Sequence, residues 1–447
     1  MENNRLTKGN ILSGILLFAL PLLIGNIFQQ FYNLTDTAII GHVAGDKSLA
    51  AIGASANIMS LVIGFAGAFT NGFAVIIARF FGAEDREGLK KAVAWTYVLT
   101  VIIAVILTVT SLFLLHAILL KLNTPEDVIS ETESYLRIIL SATIVTAFYN
   151  MFAGIMRAVG NSKVPLFFLI ISSAINVALD LLFVWKYKMG IPGAAYATVI
   201  AQVISVILCA LYIMVKEKDL RFSLQYLKPE KELVSELFST GLSMGLMIVV
   251  VSIGSVAMQG AVNFLGSDTI AAHITARKVD DIFMLPLGSI SIAASTFASQ
   301  NLGAKRHDRI KEGILKCIAI DWIWSAFAAF VIFVYGRDLI VLISGTKNEF
   351  IIDTANRYIR INIAFFAVLS ILLVLRSSLQ GLGRKLVPVM GSVIELAFKF
   401  GTVGLITHTL GYFGVCILEP VIWAASALLV IADMILWIRK NGAKNHI

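Results

Sequence analysis

The second half of this chain is a diverged copy of the first. Residues 45–83 align without a gap with residues 266–304 at a shift of 221. A second block aligns at a shift of 223, and its matched pairs are Tyr135 and Tyr358, Arg137 and Arg360, Gly160 and Gly383, Val164 and Val387, and Pro165 and Pro388. A repeat of this length requires the chain to fold as two copies of one plan.

The chain is too apolar to be a water-soluble protein. Hydrophobic residues make up 58% of its 447 positions and charged residues only 14%, and the mean hydropathy is +0.86. Because a membrane-spanning helix needs about 20 apolar residues, these values predict an all-α polytopic membrane protein. Twelve segments qualify, six in each half: 12–35, 49–78, 92–120, 134–157, 164–186, 193–215, 237–264, 279–301, 314–343, 357–380, 387–409 and 414–438.

Basic residues set the orientation of these spans, because Lys and Arg are retained on the cytoplasmic side of a membrane. With the amino terminus inside, 23 Lys and Arg residues lie on the cytoplasmic side and 11 lie outside. We therefore predict a multi-pass protein of the cell inner (cytoplasmic) membrane with both termini cytoplasmic. The net charge of +8 follows from this bias and does not indicate a nucleic-acid partner.

An even number of spans in each half means that both halves enter the membrane from the same side, so the repeat is parallel. We predict an amino-terminal six-helix lobe at 1–215, a polar cytoplasmic linker at 216–236 and a carboxy-terminal six-helix lobe at 237–447. The amino terminus is interpreted as a short polar leader to the first span. Cys209, Cys317 and Cys416 fall within spans and indicate no disulfide.

Enzyme motifs are missing from the sequence or lie in the wrong context. The run 241–245 matches the G-x-S-x-G pattern of a nucleophile elbow, but it opens an apolar helix instead of following a strand. Small residues that permit close helix packing are the better interpretation. The sequence contains neither a phosphate-binding loop nor an H-E-x-x-H pair. We expect no enzyme activity and no cofactor, and transport would draw on an ion gradient.

Two carboxylates lie inside spans of the first half, where an ionisable side chain costs about 2.5 to 3.5 kcal/mol on insertion scales. Asp180 follows Asn176 by four residues, which places both on one helix face. Asp36 and Thr198 are expected at a similar depth. Two carboxylates, an amide and a hydroxyl suit a hard monovalent cation or a shared proton. The alternative is a satisfied polar network that locks the helices together.

The residues around these positions resemble the multidrug and toxic compound extrusion (MATE) family. The resemblance covers 20–437 and rests on many short motifs: Pro21, Asn26, Gln29, Gln30, residues 32–37, Gly41, 50–53, 79–83, 157–161, 176–180, 193–195 with Thr198, and 300–304. It implies two pseudo-symmetric six-helix lobes around a central cavity that opens alternately to either side. It also implies export of cationic, amphipathic compounds driven by inward sodium or proton flow.

The resemblance assigns roles to particular residues. Asp36, Asn176, Asp180 and Thr198 match the family's cation site, where Na⁺ or H⁺ would be the coupling ion. Pro21 falls where related proteins have a proline at which the first helix bends, and its missing backbone donor makes a bend cheap.

Aromatic and Met side chains of the first half are expected to line the substrate cavity, since they can hold flat cations by stacking and cation–π contact. With Gln29, this predicted set is Phe28, Tyr32, Tyr149, Phe152 and Met156. Packing inside the lobe is the alternative for each of them. The expected partners are cationic small molecules and the lipid bilayer, with the protein acting as a monomer.

Three other functions are alternatives to multidrug efflux. The first is a lipid-linked saccharide flippase of the same superfamily, but such proteins tend to have extra spans or a more basic cavity, and neither is evident here. The second is a major-facilitator transporter, whose basic loop after the second span resembles residues 82–91 only faintly, because the order of residues differs. A membrane-embedded enzyme would need a nucleophile, a base and an orienting group at one depth, and the sequence offers none.

The cation-site residues are not repeated in the second half. At the repeat shifts, Asp36 corresponds to Ala257, Asn176 to Lys399, Asp180 to Val403 and Thr198 to Glu419. We expect Lys399 to pair with Glu419, with Glu395 one turn before it as a further or an alternative partner, as a tethered counterpart of the bound cation. The alternative is that Lys399 snorkels toward an interface and Glu395 faces the cavity.

Family members that carry essential acids in the second lobe have them in its first and fourth helices. This chain has Gln259 in the first of these and no acid between Ile361 and Gln380, which argues against coupling through the second lobe. Asp280 and Asp281 could face an outer vestibule, or one of them could be a solvated residue at a helix start.

Overall fold

The computed structural model describes residues 6–43, 45–122, 124–228 and 230–442. These residues form fourteen α-helices and no β-strand. The helices are α1 Ile11–Val43, α2 Asp46–Gly82, α3 Arg86–Lys121, α4 Glu126–Ser141, α5 Thr143–Ala158, α6 Lys163–Asp180, α7 Gly190–Lys216, α8 Lys231–Asn263, α9 Ser267–Gly303, α10 His307–Ser344, α11 Glu349–Ala364, α12 Phe366–Gly381, α13 Leu386–Leu410 and α14 Tyr412–Gly442.

Ten helices in the described part of the chain are long and apolar enough to cross a membrane by themselves. The other four form two bent pairs, α4 with α5 at 47° and α11 with α12 at 54°. Counting each bent pair as one span gives twelve, six in each half, and confirms the predicted fold class. Large apolar side chains stay exposed on these helices, as with Phe113 at 84% and Leu342 at 79%. Such surfaces suit contact with lipid.

The backbone repeats along with the sequence. Helices α2 and α9 are both 37 residues long and follow glycines with positive φ, 87° at Gly45 and 93° at Gly266. This region is open to glycine and strained for most other residues. Further equivalent pairs with positive φ are Glu84 and Lys305, Gly160 and Gly383, and Gly190 and Gly411. The turns between helices are therefore built alike in both halves.

The chain divides by its contacts into two compact units, and their limits differ from the predicted domains. Unit one contains Leu20–Ile248, and unit two contains Leu6–Ala19 together with the chain from Val249 onward. Residues 6–19 belong to unit two because the polar leader before α1 is hydrogen-bonded to residues of that unit. The Leu6 amide donates to Gln300 Oε1 at 3.1 Å, and Arg309 donates to the Gly9 carbonyl at 3.1 Å.

The predicted linker and the start of α8 belong to unit one. The linker contains two short 3₁₀ turns, Lys218–Leu220 and Leu224–Tyr226. Lys91 Nζ lies 2.5 Å from Glu230 Oε1, and Arg79 binds both carboxylate oxygens of Glu236 at 2.8 and 2.5 Å. These ion pairs hold the linker against α2 and α3.

The G-x-S-x-G run lies on α8 and is a packing motif. A Cβ atom on Gly72 of α2 would lie 2.6 Å from the Gly241 Cα, and one on Gly241 would lie 2.8 Å from the Phe69 carbonyl oxygen. The two helices approach this closely only because both positions are glycine.

The predicted start of the eighth span, residue 279, is wrong, because α9 begins at Ser267. Asp268, Arg277, Lys278 and Asp281 interrupt the apolar pattern there, although a helix tolerates such charges when they are exposed or paired. Arg277 lies 4.0 Å from a carboxylate oxygen of Asp281, one turn later. Asp281 is thus well inside the helix and not near its start.

Candidate functional site

A cavity of about 400 Å³ lies within unit one. It is formed by α1, α2, α5, α6, α7 and the first part of α8. Its walls carry many amide and hydroxyl groups: Gln29, Tyr32, Ile63, Gly64, Gly67, Ala68, Asn71, Thr146, Tyr149, Asn150, Leu169, Ser172, Ser173, Asn176, Thr198, Ala201, Gln202, Ser205 and Ile248.

A hydrogen-bonded group joins three helices at the wall of this cavity. The Tyr32 hydroxyl on α1 lies 3.1 Å from Thr198 Oγ1 on α7. Asn176 Nδ2 on α6 donates to the same Thr198 oxygen at 3.4 Å. The group brings together two of the predicted cation-site residues with one predicted substrate residue.

The two predicted carboxylates face each other beyond this group. Asp36 lies one turn after Tyr32 on α1, and Asp180 lies one turn after Asn176 on α6. Their carboxyl groups lie within electrostatic range of each other. Because an ionised carboxylate can only accept hydrogen bonds, a hydrogen bond between the two needs a shared proton.

Acceptor oxygens at this site outnumber the donors. Both carboxylate oxygens of Asp180, Oδ1 of Asp36 and Oδ1 of Asn176 are buried and have no hydrogen-bond donor among the described residues. Buried acceptors are normally satisfied. Carboxylate and amide oxygens are also the ligands that a hard monovalent cation takes. The residues present therefore fit Na⁺ or a proton.

The backbone changes its helix type directly after Asp180. Residues Leu181–Lys186 form a π-helical segment, and the Tyr187 amide donates to the Leu182 carbonyl at 2.9 Å. Short π segments within α-helices are frequently found at functional sites. This segment was not predictable from its residues Leu-Leu-Phe-Val-Trp-Lys, which have the composition of an ordinary apolar span.

Tyr135 of α4 belongs to the surroundings of the acid pair, although sequence reasoning did not select it. Its side chain is buried, 4% exposed, and its phenol lies within electrostatic range of both Asp36 and Asp180. Its match to Tyr358 in the repeat was a signal that could have drawn attention to it.

The predicted substrate residues separate into two groups. Gln29, Tyr32 and Tyr149 line the cavity. Phe152 and Met156 do not; they are 4% and 0% exposed and pack in the apolar core of unit one. Their assignment to the cavity wall is therefore corrected, because the inner face of α5 at these positions turns toward α2 and α3.

Phe28 also lies off the wall of this cavity. Its side chain is 42% exposed on α1 and is not among the lining residues. Helical geometry explains the difference, because adjacent residues such as Phe28 and Gln29 point about 100° apart on a helix.

Several amide and hydroxyl groups of the cavity, such as those of Thr146 and Gln202, were not predicted from the sequence. Thr146 Oγ1 donates to Gln202 Oε1 at 2.6 Å, and Arg157 donates to Asn71 Oδ1 at 2.8 Å. Polar side chains inside apolar spans were the available signal, since such groups are costly in a membrane unless paired or functional.

Unit two brings the predicted second-half charges together. Lys399 Nζ lies 3.0 Å from Glu395 Oε1 and 3.1 Å from Glu419 Oε1. Arg277 Nη1 lies 4.0 Å from the same Glu419 oxygen. Lys399 is 2% exposed, so its ammonium does not snorkel toward an interface. Asp280 is also buried, 1% exposed, which is incompatible with a solvated helix-start residue.

Comparison with known proteins identifies the family. The MatE family model matches residues 21–182 and 241–401, one block in each half. The chain belongs to the MatE family. The first block contains three of the four residues of the predicted cation site, and the fourth, Thr198, follows it.

MatE relatives in the curated proteins match over nearly the whole chain. "Probable multidrug resistance protein YoeA" of Bacillus subtilis is 28% identical over 434 residues, covering 95% of this chain and 93% of the relative. "Multidrug export protein MepA" of Staphylococcus saprophyticus is 23% identical, covering 95% and 94%.

Solved MatE structures share the fold. A crystal structure of a MATE protein in complex with MaL6 gives a TM-score of 0.90 at 21% identity, covering 98% of both chains. An outward-facing multidrug resistance transporter of the MATE family gives 0.91 at 22% identity, again covering 98% of both chains.

Proposed function

We propose that this MatE protein is a secondary active antiporter that exports cationic, amphipathic compounds in exchange for inward Na⁺ or H⁺. The observation that carries the proposal is the pair of Asp36 and Asp180 beside a polar cavity, in which Asp36 Oδ1 and both carboxylate oxygens of Asp180 are buried without a donor among the described residues. The names of the relatives, which describe multidrug resistance and multidrug export, support the same function.

The cavity suits a small organic cation. Its volume of about 400 Å³ falls within the range of about 300 to 1,000 Å³ that ligand pockets occupy. Its walls are mostly neutral, with amide and hydroxyl groups and two tyrosines. The guanidinium of Arg157 donates a hydrogen bond to the side-chain amide oxygen of Asn71, which lines the cavity. The acid pair supplies the negative charge that would favour a cationic ligand.

Competition between ion and drug would drive export. A cation that enters from outside neutralises Asp36 and Asp180, alters the packing of α1 around Pro21, and lowers the affinity of the cavity for a positively charged drug. Pro21 lies inside α1, and its role as a bend stays a prediction. A ligand shifts two access states only by its differential affinity for them, so the ion must prefer the drug-releasing state.

Transport of a fluorescent cation in membrane vesicles tests this function. Vesicles containing the protein are loaded with the dye, and a sodium or a proton gradient is imposed separately. Dye movement that follows one of these gradients, and that is lost when the gradient is collapsed, supports the antiporter. Dye movement that ignores both gradients contradicts it. Vesicles without the protein give the background.

A further inference from the structure

Two equivalent contacts join equivalent helices in the two halves. In unit one, Asn176 of α6 donates to Thr198 of α7 at 3.4 Å. In unit two, Lys399 of α13 binds Glu419 of α14 at 3.1 Å. Asn176 and Lys399 correspond at the repeat shift of 223, and Thr198 and Glu419 correspond at 221. The second half thus keeps a contact between these two helices, but an ammonium and a carboxylate make it in place of an amide and a hydroxyl.

The Lys399 side chain also reaches the equivalent of α1. A Cβ atom on Gly254 of α8 would lie 2.9 Å from Lys399 Cδ and 3.7 Å from Nζ. Gly254 lies one turn before Ala257, the position equivalent to Asp36. The ammonium therefore extends from α13 toward α8, as the Asp180 carboxyl of α6 meets Asp36 of α1 in the first half.

The charges around Lys399 fit a bound cation. Glu395 and Glu419 are 8% and 7% exposed, so both acids are buried with it. Arg277 adds a second positive charge at 4.0 Å from Glu419. Arg277 also pairs with Asp281, so the cation that lies between Glu395 and Glu419 is the ammonium of Lys399. Breaking a buried pair by removing one partner leaves an uncompensated charge in a place where solvent cannot screen it.

We infer that the Lys399 ammonium is a built-in cation, held in the second half at the position that the first half offers to an exchangeable one. Removal of the Lys399 side chain beyond Cβ opens a site for a small monovalent cation, and a primary alkylammonium fits it best. The contrast with an exchangeable ion rests on the function proposed above, whereas the built-in cation rests on the contacts of Lys399 alone.

Chemical rescue of stability tests this inference. In the full-length purified protein, Lys399→Ala leaves Glu395 and Glu419 without their ammonium, and we expect the melting temperature to fall by about 6 to 10 °C. Propylammonium replaces the deleted atoms from Cγ to Nζ. Propylammonium at millimolar concentration should restore at least half of the loss, and the bulky cation N-methyl-D-glucamine should not.

Lys399→Met is the matched control, because it removes the charge but fills the space. We expect it to be destabilised and to gain nothing from propylammonium. Equal responses of the two variants to the amine, or no loss of stability in Lys399→Ala, would overturn the inference.

A second variant covers the case in which Lys399→Ala does not fold. Lys399→Met combined with Glu395→Gln removes the carboxylate that lost its partner and leaves Glu419 to Arg277, so it should be more stable than Lys399→Met alone. Equal or lower stability would contradict the built-in cation. These readouts are melting temperatures, so a failure here is separable from a failure of dye transport.

Discussion

The two halves of this molecule share a backbone and differ in their charges. Helices α2 and α9 have the same length, and the positive-φ residues at their starts and ends coincide. Yet Asp36 and Asp180 in the first half correspond to Ala257 and Val403 in the second. The repeat therefore preserves the backbone of the turns and not the residues of the proposed cation site.

The helix that carries Asn176 and Asp180 of the proposed cation site differs in the same way from its equivalent. In the first half, α6 ends at Asp180 and continues as the π-helical segment Leu181–Lys186. In the second half, α13 runs as an α-helix from Leu386 to Leu410. The irregular backbone is thus found beside the acid pair and not beside Lys399.

The largest expected effect comes from removing an acid of the first half. Asp36→Asn or Asp180→Asn should reduce gradient-driven dye export to the level of vesicles without the protein, because the ion would lose its competing carboxylate. Expression and melting temperature should be retained, since a neutral amide costs less to bury than a carboxylate.

Asp321→Asn is a matched control in the second half. Asp321 is a carboxylate on α10 that is 0% exposed, and neither of its oxygens has a hydrogen-bond partner among the described residues. We expect export by Asp321→Asn to stay near that of the unmodified protein. Equal losses in this variant and in Asp180→Asn would remove the distinction between the halves.

A glycine of the second half tests the difference in packing. A Cβ on Gly381 would lie 2.4 Å from the Ser295 carbonyl oxygen, whereas its equivalent Ala158 carries a methyl group that is 1% exposed. Gly381→Ala should lower the free energy of unfolding by about 1 to 3 kcal/mol through overpacking. Unchanged thermal stability would mean that α9 and α12 separate easily.

The equivalent tyrosines should respond differently to loss of the hydroxyl group. Tyr135 lies within electrostatic range of Asp36 and Asp180, whereas Tyr358 lies within electrostatic range of Arg277. Tyr135→Phe should shift the cation concentration for half-maximal export by about two- to tenfold, the worth of one hydrogen bond of about 0.5 to 1.5 kcal/mol. Tyr358→Phe should lower stability and leave this concentration unchanged. The opposite pattern would place the cation in the second half.

The smallest expected effect tests where the halves should agree. Glu84 and Lys305 occupy equivalent turns with φ of 59° and 57°. Glycine adopts this conformation without strain but loses more entropy on folding. Glu84→Gly and Lys305→Gly should therefore each change stability by less than about 1 kcal/mol and in the same direction. Melting curves with opposite shifts would show that the turns are not equivalent.

Much of the fold could be predicted because its signals are local and additive. Apolar windows and the repeat sufficed for twelve spans. The start of α9 at Ser267 could not be predicted in this way, because Arg277 and Lys278 lower the hydropathy of this part of the helix. Arg277 is tolerated there because it pairs with Asp281 and Glu419. The limits of the contact units also escaped prediction, since they depend on distant ion pairs such as Arg79 with Glu236.

The site was predictable where spacing on one helix decides it. Asn176 and Asp180 are one turn apart in any α-helix, and the charge of Lys399 demanded an acid nearby. The residues of the cavity wall were harder to predict from the sequence. Whether Phe152 packs in the core or lines a cavity depends on rotation of α5, and apolar composition does not reveal that rotation.

Displacement of a bound cation by a drug tests whether the exchangeable cation binds in the first half only. Bound sodium, or protons released into a weakly buffered solution, is measured on the purified protein as a cationic drug is added. We predict displacement in the unmodified protein and in Glu395→Gln, and none in the double variant Asp36→Asn with Asp180→Asn. Displacement that persists in the double variant would contradict the account.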